Sequence, residues 1–345
     1  MAGMRDVAKL AGVSLSTVSI VINGDDKFVS PEIRQRVEDA INVTGYILPP
    51  KKRTVAKAIA VVLPTITSVF FSNLLNGIEQ TLSENKNVLL FGDTSYNFQK
   101  EVQYLETIKK QSLCGVIIDT VCPVGSEDSY YEFLLNTFVS QGIPVVFLER
   151  QIKNKDFYCV YVDHYRNAYM ATDHLIKLGH RSIAHIAGYP DHLFTNQRFN
   201  AYRQALSDNG LTYDEGLIGS GDYTPNSGYI AMKGLMSRRS DFTALFSAND
   251  QMAVGAIKAI KSIGKKVPDD IAVVGIDNLS ISSIISPPLT TVNVPTYEMG
   301  IQAAKIILDI LDGVTPMREI KLNCNLIIRK STNPYANSEW ELFGW

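Results

Sequence analysis

The chain has 345 residues, 46 % of them hydrophobic and 20 % charged, with a formal net charge of −2. That length allows two or three domains, because a single core rarely grows past ~250 residues, and the composition excludes a disordered chain. No apolar run approaches the ~18 residues of a membrane span and no basic-then-apolar signal opens the chain, so no membrane contact and a cytoplasmic location are expected, with the unpaired Cys114, Cys122, Cys159 and Cys324 as reduced thiols.

Residues 1–57 carry nine basic residues against six acidic ones, a balance of +3, whereas the remainder holds 24 against 29, a balance of −5. A basic head on an acidic body suits a protein that meets a polyanion through one end. Three helices are predicted in this head. Val7, Ala8 and Ala11 repeat at helical spacing from about Met4, and Gly12 stops the run. Ser14 is the expected N-cap of a second helix from Leu15 to about Ile22, closed by Asn23-Gly24. Ser30-Pro31 supplies the N-cap and first residue of a third, with Ile33, Val37 and Ile41 on one side and Gly45 at its end. A tight glycine turn between two short helices sets the second across the first. Val18 is then buried and Leu15, Ser16, Ser19 and Ile20 face outward, the geometry of a helix-turn-helix offered to a DNA major groove. From geometry alone, a small three-helix packing unit without a ligand stays open.

The run "RDVAKLAGVSLSTVSIVIN" followed by "VSPEIRQRVEDAINVTGY" resembles, from Asp6 to Tyr46, the DNA-binding head of the lac repressor family of bacterial transcription regulators. The resemblance implies that Leu15, Ser16 and Ile20 occupy base-reading positions, that Thr17 and Ser19 lie nearer the phosphates, and that Arg5 and Asn23 belong to the same DNA face. Ile20 stands where the family often has arginine or another polar residue. Isoleucine cannot make a bidentate bond to guanine and favours a thymine methyl instead. The linker departs further: "YILPPKKRTVAKAIAVV" lacks the family's alanine and wedging leucine at their positions, and Leu48 replaces its first proline. Lys51, Lys52 and Arg53 suit phosphates, no intercalating leucine is expected, and a merely solvated linker stays open.

Beyond this hinge, strands are predicted at 58–64, 88–92, 114–119, 144–149, 159–163, 182–188, 244–249 and 271–277. Helices are predicted at 71–85, 98–112, 165–178, 197–209, 225–237, 250–263 and 296–312. Fully apolar strands alternating with helices imply parallel sheets covered on both faces, in two doubly wound lobes rather than one. Ligands of such sheets bind at the carboxyl ends of the strands.

The segments "DHLIKLGHRSIAHIAG", "RFNAYRQAL", "ALFSANDQMAVGAIKAI", "VPDDIAVVGIDN" and "PPLTTVNVP" extend the resemblance to the family's effector domain, whose fold is that of type I periplasmic sugar-binding proteins. It implies an α/β fold: an all-α head (1–47), a basic hinge (48–57), a first lobe (58–160 and 292–318), a second lobe (161–291 and 319–335) and a tail (336–345). By the same resemblance Arg198, Asn249 and Asp277 grip the ligand, Phe70, Phe71 and Tyr223 stack on it, and Arg150 and Asp163 are further candidates. Structural roles remain open for Asp277 as a turn cap, for one of Phe70 and Phe71 as core, and for Arg198 as a surface charge. The implied partners are a pseudo-palindromic operator, a second copy of the chain and a small molecule. A sugar or sugar derivative is expected, with a nucleobase or nucleoside, or no ligand at all, as the alternative.

Other chemistry finds little support. His164, His174, His180, His185 and His192 lie close in sequence, but their spacing fits no metal motif and no cysteine joins them. "GSGD" at 219–222 lacks the third glycine of a dinucleotide loop, and neither a G-x-S-x-G nor a P-loop run occurs. No cofactor, no metal and no enzymatic activity are expected. The tail "NPYANSEWELFGW" falls outside the family pattern, and its Trp340, Leu342, Phe343 and Trp345 suit packing on the second lobe, with an intersubunit contact or a loose end as alternatives that stay open.

Overall fold

The computed structural model describes residues 3–23, 29–46, 58–190, 192–239 and 241–336. They divide into two units, 1–56 and 57–345. Lys51, Lys52, Arg53 and the aromatic tail lie outside the described residues.

In the first unit α1 (Met4–Ala11), α2 (Leu15–Asn23) and α3 (Pro31–Thr44) surround a core of Val7, Ala8, Ala11, Val18, Val21, Val37 and Ala40. Gly12 ends α1 at φ 64°, and a Cβ there would lie 2.7 Å from the Arg36 guanidinium. That guanidinium donates from Nη2 to the Ala11 carbonyl at 2.5 Å, satisfying an orphaned helix-end acceptor. Ser14 Oγ accepts from the Thr17 amide at 3.1 Å and Ser30 Oγ from the Ile33 amide at 3.4 Å, so both expected caps are made.

The second unit holds two six-stranded sheets. The first contains β1 (Ala58–Leu63), β2 (Val88–Asp93), β3 (Leu113–Ile118), β4 (Val145–Leu148), β5 (Tyr158–Tyr161) and, late in the chain, β11 (Glu319–Lys321), in the order β11-β5-β4-β3-β1-β2, all parallel. The second contains β6 (Ile183–Ala187), β7 (Ile218–Ser220), β8 (Ala244–Ser247), β9 (Ala272–Asp277), β10 (Thr290–Asn293) and β12 (Asn325–Ile327), in the order β12-β10-β9-β8-β6-β7, with β12 alone antiparallel. Alternate residues of β1 feed opposite cores. Ile59, Val61 and Leu63 face α4 (Val69–Glu84) and α12 (Thr296–Leu311), while Ala60 and Val62 join Leu105, Leu134 and Phe138 from α5 (Phe98–Ile108), α6 (Glu127–Thr137) and the residue after it. Burial on both faces is why these strands read as apolar runs. The helices of the second lobe are α7 (His164–Lys177), α8 (Leu193–Asp208), α9 (Pro225–Arg238), α10 (Asp250–Ser262) and α11 (Ser280–Ile284).

The chain passes between sheets three times: from β5 to α7, from β10 to α12 and from β11 to β12. Two expected boundaries need correction. Residues 319–335 were expected in the second lobe, but Glu319–Lys321 pairs with β5 in the first sheet. Edge hydrogen bonds hold it there: Cys159 N donates to Arg318 O at 2.9 Å and Leu322 N to Tyr161 O at 2.8 Å. Val292 and Asn293, expected in the first lobe, instead pair with Ile276 and Asp277 in the second sheet.

Close helix packing recurs in both lobes. A Cβ on Gly77 of α4 would fall 2.2 Å from Tyr297 O, and one on Gly300 of α12 would fall 2.1 Å from Leu74 O. In the second lobe a Cβ on Gly228 of α9 would lie 2.2 Å from Met252 O, and one on Gly255 of α10 would lie 1.8 Å from Pro225 O. The four Cys residues are free, and among the described residues no helix is long and apolar enough to cross a membrane.

Candidate functional site

The head presents a short polar edge. Leu15 is 47 % exposed, Ser16 and Arg5 are exposed, and Thr17, Ser19 and Ile20 are half-buried. Ser14 Oγ lies 2.7 Å from Ser16 Oγ and 2.8 Å from Thr17 Oγ1, so the cap also orients the two hydroxyls at the start of α2. Asn23 is the last residue of α2. Ile20 is thus less open than its outward-facing expectation.

In the body, a cleft of about 410 Å³ including its open mouth lies between the lobes at the carboxyl ends of the strands. From the first lobe come Ser68, Phe70 and Phe71 after β1, Tyr96 after β2, Asp119 after β3 and Glu149 after β4. From the second come Phe194 and Arg198 on α8, Tyr223 after β7, Asn249 after β8 and Asp277 at the end of β9. Backbone strain concentrates here. Of seven non-glycine residues with positive φ among the described ones, Tyr96, Glu149, Tyr223 and Asp277 line the cleft and Ser95 and Asn278 adjoin it. Such strain persists only where the surroundings enforce it, and it gathers at functional sites.

Arg198 is 4 % exposed. Its Nη1 donates to Ala248 O at 2.6 Å and its Nη2 to His164 Nδ1 at 3.2 Å, while Nε has no partner. A guanidinium only donates, so Nδ1 of His164 accepts and the ring proton sits on Nε2, which donates to Glu149 O at 2.9 Å. Burial first, and the Arg198 charge second, hold His164 down at about 3, so the ring stays neutral. One imidazole thereby ties the first lobe's β4 end to the second lobe's Arg198. Burial pushes Glu149 up to about 7 and raises Asp119 and Asp277 well above the usual carboxylate range. Arg198 opposes the shift at Glu149 and Asp277, and repulsion from Glu149 adds to it at Asp119 and Asp277.

The lobes also touch through side chains at the mouth. The Tyr96 ring lies 5.3 Å from Tyr189, 5.9 Å from His192 and 6.5 Å from Tyr223, and Ser68 Oγ donates to Gln251 Oε1 at 3.3 Å. Phe70 and Phe71 meet edge-to-face at 5.0 Å, and Tyr223 OH lies 2.6 Å from Thr195 Oγ1. Asn249 has a structural duty as well, since Oδ1 caps α10 at Met252 N and Nδ2 donates to Tyr223 O.

Six of the eight residues expected at this site line the cleft together: Phe70, Phe71, Arg198, Tyr223, Asn249 and Asp277. Two do not. Arg150 is buried beneath the first-lobe wall, where Nη2 donates to Thr120 O at 3.0 Å. Asp163 caps α7 at Arg166 N and binds Lys321 Nζ at 2.7 Å, so its carboxylate is occupied between two lobe crossings. Asp119 and Glu149 were missed, although the carboxyl-end rule applied to strands 114–119 and 144–149 points at both. At Glu149 a φ of 62° turns the chain, so this residue, and not Arg150, enters the cleft. Phe194 lies in the part of α8 that read as loop, and Tyr96 in a connection with no sequence signal of its own.

The histidines are dispersed among separate duties. His185 stacks on Phe246 at 4.6 Å and is held down to about 4 by burial, His174 meets Thr332 and His180 meets Thr243. Among the described residues, no group of three His, Cys, Asp or Glu side chains is arranged to hold a metal ion.

Comparison with known proteins matches this geometry to one family. The profile of bacterial regulatory proteins of the lacI family matches residues 3–48, and that of the periplasmic binding protein-like domain matches residues 172–332. The HTH-type transcriptional repressor CytR of Escherichia coli (strain K12) is 34 % identical over 337 residues, covering 96 % of each chain. The structure of a transcriptional regulator CelR–cellobiose complex aligns with a TM-score of 0.71 at 32 % identity, over 96 % of this chain and all of that one. The lac repressor dimer bound to operator and the anti-inducer ONPF aligns with a TM-score of 0.77 at 25 % identity, over 96 % of this chain and 99 % of that one. The chain belongs to the lacI family of bacterial regulatory proteins and is a ligand-controlled, DNA-binding transcription regulator.

Proposed function

We propose that the controlling ligand is a sugar or sugar derivative held in the inter-lobe cleft, and that the regulator acts as a homodimer, most often to repress. The observation that carries this reading is the convergence of Arg198, Asp119, Glu149 and Asp277 between the aromatic rings of both lobes. Carboxylates and a guanidinium bind hydroxyls in fixed directions, and flat rings cover the apolar faces of a pyranose. The cellobiose bound to the related CelR supports it. A nucleobase or nucleoside is the second reading, favoured by the rings of Tyr96, Tyr189 and Tyr223 at the mouth.

At the DNA, Leu15, Ser16 and Ile20 read base edges, with Ile20 against a thymine methyl, and Arg5, Thr17, Ser19, Asn23 and the basic hinge residues Lys51, Lys52 and Arg53 serve the backbone. Ligand contact with both lobes shifts their arrangement and so the spacing of two heads on a pseudo-palindromic operator. A coupling of ~1–3 kcal/mol would change operator affinity by about 5- to 150-fold. The protein works in the cytoplasm, where its DNA lies, and turns over no substrate. Selection of sites from a random duplex library by the full-length protein at two salt concentrations tests the reading. A symmetric consensus with affinity falling steeply with salt is expected. A non-symmetric site would count against the dimer, and operator binding indifferent to every sugar and nucleoside would count against ligand control through the cleft.

A further inference from the structure

We infer that the ligand of this cleft is cationic as well as hydroxylated, an amino sugar or aminated polyol, and that phosphate esters are excluded. The inference rests on the reading of the cleft as the effector site. Its basis is an imbalance of charge and of hydrogen bonding among the lining residues.

Asp119, Glu149 and Asp277 are 2 %, 5 % and 6 % exposed, and all three border the cleft, against the single guanidinium of Arg198. Burial alone does not explain unpartnered acids, because other buried acids of this body are fully provided with donors. Glu101 accepts from Thr120 Oγ1 and Tyr130 OH at 2.5 Å and from Val121 N at 2.9 Å. Asp250 accepts from Ser282 Oγ at 2.5 Å, Thr291 Oγ1 at 2.6 Å and Leu279 N at 3.0 Å. In the cleft, by contrast, Glu149 Oε1 has no partner and its Oε2 lies 3.4 Å from the neutral His164 ring, while burial outweighs the pull of Arg150 at Asp119 and of Arg198 at Asp277.

The nearby cations are partly committed, with only Arg198 Nε and Arg150 Nη1 left without a partner. Arg198 sends one nitrogen to Ala248 O and another to His164, and Arg150 donates to Thr120 O. Even with Arg150 and Glu101 included, four acids face two guanidiniums. Acids buried this deeply along an aromatic-walled cleft cannot hold such an excess of negative charge without protonation or a cation. A ligand ammonium supplies the cation, and its three N–H groups supply donors for carboxylate oxygens. The rings of Phe70, Phe71, Phe194 and Tyr223 present faces that attract a cation and offer an anion nothing. A phosphate would need donors from a site that mostly lacks them.

Two measurements decide the matter. The first is calorimetric titration of the full-length protein with matched sets built on glucose, galactose and mannose: the parent hexose, its 2-amino form, the N-acetylated amine and the 6-phosphate. An amino member should bind at least tenfold more tightly than its parent, and N-acetylation, which removes the charge, should abolish the gain. Equal or tighter binding of the parent, the N-acetyl form or the phosphate overturns the inference. The second does not depend on the ligand: thermal unfolding of ligand-free Asp119→Asn and Asp277→Asn. Relief of unbalanced charge should raise the melting temperature of each by a few degrees, whereas Asp250→Asn, whose carboxylate is satisfied, should lower it. A fall for Asp119→Asn and Asp277→Asn would mean the protein itself satisfies these groups, and the inference fails. If no member of any set binds while both variants are stabilised, the charge inference stands and the choice of a hexose ligand falls.

Discussion

Arg198 is braced from both sides of the cleft before a ligand arrives, by a carbonyl of its own lobe and by an imidazole that also bonds the other lobe. Arg198→Ala should therefore abolish the response of operator binding to ligand while leaving ligand-free operator affinity within about threefold, measured by fluorescence anisotropy. Unchanged ligand affinity would remove Arg198 from the site. Because the change strands buried acceptors, a stability loss of ~1–3 kcal/mol should accompany it. Glu149 governs a pH window. Its carboxyl titrates near 4.5 when unfolded and about 7 in place, so between those values the folded chain holds the extra proton and stability falls as pH rises. His164 acts in the opposite direction: neutral down to about 3 when folded, against 6.5 unfolded, it withdraws stability as pH falls below 6.5. Above 6.5 the acids act alone, Asp119 and Asp277 adding to Glu149 in the same direction. Glu149→Gln should accordingly flatten the decline in melting temperature between pH 6.5 and 7, a loss on the order of 3 kcal/mol over the whole window. An unaltered slope would assign the decline to the other two carboxyl groups.

At the scale of elements, the α9–α10 crossing offers the sharpest test. A Cβ on Gly255 meets the backbone carbonyl of Pro225, which cannot move aside, so the helices must separate. Gly255→Ala should cost at least ~2 kcal/mol, by the usual range for overpacking. Gly234→Ala, on the same helix pair but with nothing within 4 Å, should be neutral or stabilising by up to ~1 kcal/mol. Chemical denaturation of both variants checks this, and equal effects would show that the crossing tolerates the methyl. Long elements with a strong apolar period were legible before the structure: every strand expected between 58 and 277 exists, and the capped head helices begin at their caps. The short or weakly patterned ones were not. α6 buries only Tyr130, Leu134 and Thr137, too sparse a stripe to stand out in "EDSYYEFLLNT". β7, β11 and β12 have three residues each, fewer than alternation needs to declare itself. The first turn of α8 has no side-chain cap, so "LFTN" read as loop and Phe194 went unassigned.

For the molecule as a whole, a ligand that contacts both lobes must stabilise the body by mass action. At 100 times its Kd it should add ~2.7 kcal/mol, read as a rise in melting temperature, and the same ligand should alter operator affinity. A stabilising ligand without effect on DNA binding would separate the cleft from regulation. Strand–helix alternation was enough to read two doubly wound lobes with a cleft at the strand ends. It could not say to which sheet the late segments return, because the choice between lobes for "EIK" at 319–321 rests on edge pairing with β5, a contact between residues far apart in sequence.

The three passages between lobes also bear on how the chain is made. Neither sheet is complete until its final strand has left the ribosome: the first waits for α12 and β11, the second for β12. A nascent chain halted before residue 296 would carry a finished head and a first lobe whose α4 exposes the apolar face that α12 covers. Such a product lacks the cover of α4 and an edge strand of each sheet, which leaves its apolar surface open to aggregation and proteolysis. The late return of the chain thus couples the right to occupy an operator to the completion of the part that senses the ligand.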